Sequence, residues 1–134
     1  MRTRTIKQQE IFAASPEKLY TMLMDEKVHN AFSGASAKVS KKVGGKFSAY
    51  DDYITGNNLV LEKGKRIVQS WHASDMPEGH MSEIEFVFKE LQNGQTKIHF
   101  THRQVPADMY DAFAKGWDDF YWQPMRVYIA THPD

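Results

Sequence analysis

Between Lys38 and Arg103 apolar residues recur at every second position, and beyond Pro106 they recur instead at helical spacing. Ile84, Phe86 and Phe88 share one face of a strand while Glu83 and Glu85 share the other. Ile98, Phe100 and His102 alternate with Lys97, His99 and Thr101 in the same way. Upstream, Phe47 and Ala49 alternate with Ser48 and Tyr50, and the same parity extended turns Asp51 inward; Ile67, Gln69 and Trp71 alternate with Val68, Ser70 and His72. Alternation of this kind makes an antiparallel sheet with one apolar face, and that face requires a cover. Turn signals at Gly44-Gly45, Gly56-Asn57-Asn58, Gly64, Pro77-Glu78-Gly79 and Asn93-Gly94 are read as separating successive strands. Asn93-Gly94 is the strongest of them, because both residues tolerate the positive φ of a primed hairpin turn.

The cover comes from the tail. Met109, Phe113, Trp117, Phe120, Tyr121, Val127 and Tyr128 form a helical stripe. Gly116 lies on that stripe, where a missing Cβ predicts close approach to another backbone, and Pro124 predicts a kink or interruption. At the other end, a Thr- and Ile-rich strand over residues 3 to 12 leads to Ser15, a good N-cap, and Pro16, well suited to the first helical position. Leu19, Tyr20, Leu23 and Met24 then predict one helix reaching about His29. The order is strand, helix, about six antiparallel strands and a long helix. It predicts one α+β domain over residues 1–134, with a curved sheet of about six to seven strands wrapped around the C-terminal helix, the arrangement of helix-grip folds by analogy.

Composition limits the chemistry. Seventeen Lys and Arg balance 17 Asp and Glu, which argues against a nucleic acid partner, since affinity for phosphates rests on excess positive charge. With no cysteine there is no disulfide, thiolate metal site or cysteine nucleophile. No stretch reaches the roughly 18 apolar residues of a spanning helix, so the expectation is a cytoplasmic chain without membrane insertion. Aromatic residues are the extreme entry at 13%, and they call for a large interior or a binding surface.

Five stretches carry a resemblance: Ile11-Phe12-Ala13-Ala14-Ser15-Pro16-Glu17-Lys18-Leu19-Tyr20, Gly44-Gly45-Lys46-Phe47, Ile67-Val68-Gln69-Ser70-Trp71, Pro77-Glu78-Gly79-His80, and Gly116-Trp117 through Tyr121-Trp122. In that order and spacing the chain resembles the C-terminal-domain family of the activator of the ninety-kilodalton heat-shock chaperone's ATPase, within the START-like (SRPBCC, Bet v 1-like) superfamily. The resemblance implies the helix-grip fold. It also implies either of two functions, hydrophobic-ligand binding between sheet and helix or interaction with the chaperone.

The candidate cavity residues are Phe47, Ala49, Asp51, Gln69, Trp71, Phe86, Phe88, Phe100, His102, Phe113, Trp117, Phe120 and Tyr121. Each aromatic among them has packing as its plain alternative. Gln69, His102, Tyr121 and Asp51 are the polar groups that would orient a ligand. Six histidines show no metal-ligand spacing, for His99 and His102 point to opposite faces of one strand. The pairs Asp51-Asp52 and Asp118-Asp119 and the run Lys38, Lys41, Lys42, Lys46 read as turn or solvated surface. No catalytic residue, metal or cofactor is expected. The leading expectation is a non-enzymatic domain, a monomer or weak homodimer, that holds a small hydrophobic ligand between sheet and helix. The alternative is a co-chaperone-like module with a filled core and an exposed apolar patch.

Overall fold

The computed structural model describes residues 1–133. Strand β1 (Thr3–Phe12) leads into helices α1 (Pro16–Met24) and α2 (Glu26–Ser33). Strands β2 (Lys38–Val39), β3 (Lys46–Ala49), β4 (Ile54–Glu62), β5 (Arg66–Ala73), β6 (Ser82–Glu90) and β7 (Thr96–Pro106) follow. The last elements are α3 (Tyr110–Trp117), a π-helical turn (Asp118–Trp122) and α4 (Gln123–Thr131). The seven strands make one antiparallel sheet in the order β1-β7-β6-β5-β4-β3-β2, and the helices cover its apolar face. Phe86 and Phe100 stand directly opposite each other on β6 and β7, with ring centroids 5.1 Å apart. On the solvent face of the same strands Glu85 pairs with both Arg66 and Arg103, each at 2.6 Å.

The first helix starts as its sequence dictates, with Ser15 Oγ accepting from Lys18 N at 3.1 Å and Pro16 in the first turn. It does not run through to His29. Asp25 adopts extended backbone (φ −104°, ψ 123°), ends α1 and caps α2, its carboxylate accepting from Lys27 N at 3.0 Å and Val28 N at 3.2 Å. A side chain that satisfies two orphan amides at once favours a new helix start over continuation.

Asn93-Gly94 turns the β6–β7 hairpin as expected, with φ of 63° and 74°. Gly56-Asn57-Asn58 does not turn the chain; all three lie inside β4. Gly56 is there because a Cβ would fall 1.9 Å from the Ser70 carbonyl oxygen of the neighbouring strand. Asn58 is fully buried and clamps the β2–β3 loop, donating from Nδ2 to Ser40 O at 2.7 Å and Lys42 O at 3.1 Å. Its Oδ1 accepts from Gln69 Nε2 at 2.9 Å, so a polar side chain sits in the core with its bonds made.

Pro124 interrupts the last helix, and the interruption takes the form of the π turn just before it. Two carbonyls around that turn find side-chain donors. Asp118 N bonds to Lys115 O, and Ala114 O accepts from Gln8 Nε2 at 3.0 Å. Pro124 has no N–H to offer the carbonyl four residues back, and the Tyr50 hydroxyl donates to that oxygen, Phe120 O. The wider turn also brings Trp122 onto the buried face, where its indole N–H donates to Gln8 Oε1 at 2.8 Å. Gly116 makes no close backbone approach, since the nearest atom to a Cβ there is Phe120 Cδ2 at 3.8 Å.

Two glycine substitutions separate these roles. Gly56→Ala should lower the unfolding free energy by about 3 kcal/mol, because the added carbon collides with backbone. Gly116→Ala should raise it by about 0.5 to 1 kcal/mol, since the helix gains propensity without a clash. Urea unfolding curves of the two variants against the parent read both signs.

Candidate functional site

The rings anticipated on the sheet and the last helix do face one another. Trp117 is the centre of the set, with centroids 4.3 Å from Phe100, 4.8 Å from Tyr121, 5.8 Å from Trp71 and 6.1 Å from Phe86. Its indole N–H donates to His102 Nδ1 at 3.1 Å. An indole nitrogen only donates, so His102 carries its proton on Nε2 and passes it toward Ser82 Oγ at 2.8 Å. The Ser82 hydroxyl in turn donates to Trp71 O at 2.7 Å. The chain helix, β7, β6, β5 is thereby tied through one buried line of hydrogen bonds.

These rings fill the space they surround. Deep beneath Trp117 a space of about 20 Å³ is bordered by Phe47, Ala49, Gln69, Trp71, Phe86, Trp117 and Tyr121 among others. That is room for about one water molecule. A larger space of about 340 Å³ lies at one end, as a groove between the β3–β4 loop, the end of β5 and α3. Tyr50, Tyr53, Trp71, Phe113, Phe120 and Asp75 line it, with Trp117, Tyr121 and Gly116 at its inner wall. Its volume falls in the range of small-molecule sites, which begins near 300 Å³.

The predicted residues therefore divide. Trp71, Phe113, Trp117, Phe120 and Tyr121 meet at the groove, whereas Phe47, Ala49, Gln69 and Phe86 border the small inner space. Phe100 and His102 lie behind Trp117, within the packed core. Phe88 points away from the groove, toward the α1 end, against Tyr20 at 6.3 Å. Phe120 stands on the rim and is 57% exposed. Asp51 does not keep the inward parity of Phe47 and Ala49, because β3 stops at Ala49 and Tyr50, Asp51 and Asp52 take left-handed φ of 52°, 58° and 70°. Its carboxylate instead accepts from Ser36 N at 3.0 Å on the surface. Gln69, His102 and Tyr121 spend hydrogen bonds on Asn58, on Trp117 and Ser82, and on His29.

Comparison with known proteins supplies the family. A family model described as Activator of Hsp90 ATPase homolog 1-like protein matches residues 13–130. The chain belongs to this family. It is 32% identical over 117 residues to the activator of 90 kDa heat shock protein ATPase homolog 1 of Homo sapiens, an alignment covering 87% of this chain and 34% of that protein. The chain thus spans about a third of the length of the curated relatives it matches. In structure it is similar to an HSP90 activator from Plasmodium falciparum, at TM-score 0.89 and 26% identity over 94% of this chain and 96% of that one. The Aha1 dimer from Colwellia psychrerythraea shares the fold, at TM-score 0.77 and 23% identity over 90% and 92% of the two chains.

Within this activator-family domain, sequence reasoning passed over Tyr50, Tyr53, Asp75 and His29. Two tyrosines flanking Asp51-Asp52 carried a turn signal, since Asp tolerates left-handed backbone. His29 sits on α2, buried, with Nε2 3.0 Å from the Tyr121 hydroxyl and Nδ1 without a partner among the described residues. Burial pushes His29 down to about 4 and His102 down to about 3, from an ordinary value of 6.5. Burial also drives the Tyr121 hydroxyl well above its ordinary range, so it stays protonated.

The sign of the pH effect follows. Below 6.5 the unfolded chain takes up protons at these two histidines and the folded chain does not, so stability falls as pH falls from 6.5 toward 4 and 3. At pH 5 the loss should be about 2 kcal/mol for each histidine. Denaturant unfolding at pH 7 and pH 5 measures it, and His29→Gln should remove about half of the dependence. A midpoint that does not move between these pH values would contradict the buried, neutral assignment.

Proposed function

We propose that the chain is a non-catalytic interaction module that contacts a ninety-kilodalton heat-shock chaperone in the cytoplasm and raises its ATPase rate. The observation that carries this reading is the packing beneath Trp117, where a space of about 20 Å³ admits about one water and no ligand. Apolar surface is turned outward instead, at Phe120 and Tyr53, which are 57% and 37% exposed on the rim of the groove. Its relatives, named as activators of the 90 kDa heat shock protein ATPase, support the same partner. Because the relatives are about three times longer, the module would do this as one part of what they do. The Aha1 dimer of the Colwellia relative supports self-association as a weak accessory property.

A second reading is supported by the groove itself, whose 340 Å³ and aromatic lining suit a small hydrophobic ligand. Burial of apolar ligand surface there would supply about 25 cal/mol per Å². In this reading the orienting polar group is Asp75 rather than Gln69 or His102.

A pull-down with the cell's own chaperone followed by an ATPase assay tests the first reading. Binding and a raised rate are expected, with Phe120→Ala weakening binding roughly tenfold while the unfolding midpoint stays put. Absence of both binding and rate change ends it. Native mass spectrometry of gently purified protein tests the second reading, for which a mass above that of the chain alone is the expected result.

A further inference from the structure

We infer that the groove beside α3 recognises a small organic cation with an apolar body, an arylammonium in kind, held by aromatic rings and countered by Asp75. The inference rests on the second reading above, that the groove takes a small ligand, and adds the charge that ligand must carry.

The walls set the first requirement. Tyr50, Tyr53, Trp71, Phe113, Trp117 and Phe120 surround the space, and aromatic faces attract cations through their quadrupoles. The walls are also fixed. Trp71 meets Phe113 edge to face at 5.4 Å, and Tyr50 meets Phe120 likewise at 5.6 Å. Three successive left-handed residues, Tyr50 to Asp52, set the loop, and the Tyr50 hydroxyl ties it to Phe120 O across the groove. Such strained backbone at a concave site is a mark of preorganisation.

Hydrogen-bond accounting sets the second requirement. The hydroxyl of Tyr50 donates to Phe120 O, that of Tyr53 to Asp75 Oδ1 at 2.8 Å, and that of Tyr121 meets His29 at 3.0 Å. The Trp117 N–H is given to His102. What remains for a ligand is the Asp75 carboxylate, a negatively charged acceptor with Oδ2 and spare lone pairs, and the neutral indole N–H of Trp71, which has no acceptor among the described residues. No lysine or arginine lines the groove among the described residues. Burial, reinforced by Asp75, pushes the Tyr53 hydroxyl up to about 12, so it stays a donor and adds no charge of its own. An anion would face the Asp75 carboxylate with one neutral N–H, that of Trp71, in return, and a neutral polar ligand would find only those two partners. A cation finds a counter-charge and aromatic walls together.

The test uses two probes of one shape, meta-hydroxyphenyl-trimethylammonium and its uncharged counterpart meta-tert-butylphenol, titrated into the whole chain at low salt. Indole N–H resonances of Trp71 and Trp117 report occupancy of the groove. The charged probe should bind roughly tenfold more tightly than the neutral one, and added salt should weaken the charged probe alone. Asp75→Asn, which keeps an acceptor for Tyr53, should bring the two affinities close to equality by weakening the cation only. Equal binding of both probes to the parent chain would overturn the inference and leave the groove standing as a site for neutral apolar ligands. If neither probe moves the two indole resonances, the small-ligand reading falls together with the inference.

Discussion

The bond from the Trp117 indole to His102 Nδ1 is what the rest of the molecule is arranged around. It demands a neutral imidazole with its proton on the far nitrogen, and Ser82 and Trp71 O provide for that proton. Four elements are fixed by three hydrogen bonds in a place from which water is excluded, where a missing partner is most costly. Around this polar line the rings of Phe86, Phe100, Trp71 and Tyr121 close at edge-to-face or tilted angles. The helix is therefore seated at one height on the sheet. A helix held this close leaves about 20 Å³ beneath Trp117, and the larger groove opens toward one end, between α3 and the end of β5.

The end is where irregular backbone gathers. The π turn, Pro124 and the left-handed Tyr50–Asp52 run look like separate local departures, yet one hydrogen bond joins them. Proline frees a carbonyl, the loop supplies a hydroxyl, and the groove is what lies between the two. Strain in the loop and a widened helical turn are each unfavourable alone, and the contact between them offsets part of both.

Much of this was legible from alternation. Ile84, Phe86, Phe88, Ile98, Phe100 and His102 are buried as their parity requires, and Trp117 faces them as the helical stripe requires. The five-part family resemblance led to the same fold. Reading failed where a side chain replaced a backbone partner. Asp25 ended one helix and began another; Asn58 and Gly56 belonged to a strand because of what they touch across it, not because of local turn preference. Asp51 was placed by extending a strand beyond its last residue. The cavity was expected between sheet and helix; how far toward one end it lies could not be read, because ring volume cannot be summed from spacing, and Tyr53 and Asp75, 22 residues apart, meet only in three dimensions.

The π turn has a bearing on how this helix tolerates changes of length. Trp117 and Trp122 are five positions apart and share the buried face, a phase that an ordinary helix, with its 3.6 residues per turn, does not hold. Removing a single residue between them would let the segment close at the common pitch, four residues of α-helix carrying the chain round about as far as five of π-helix, and everything downstream would keep nearly the same phase. Met125 and Ile129 would stay over the core and Arg126 would keep Glu10. Adding a residue to a segment already at the wider pitch would instead swing them by about 100°. Between 117 and 124, then, the helix has a residue to lose and no slack to gain one.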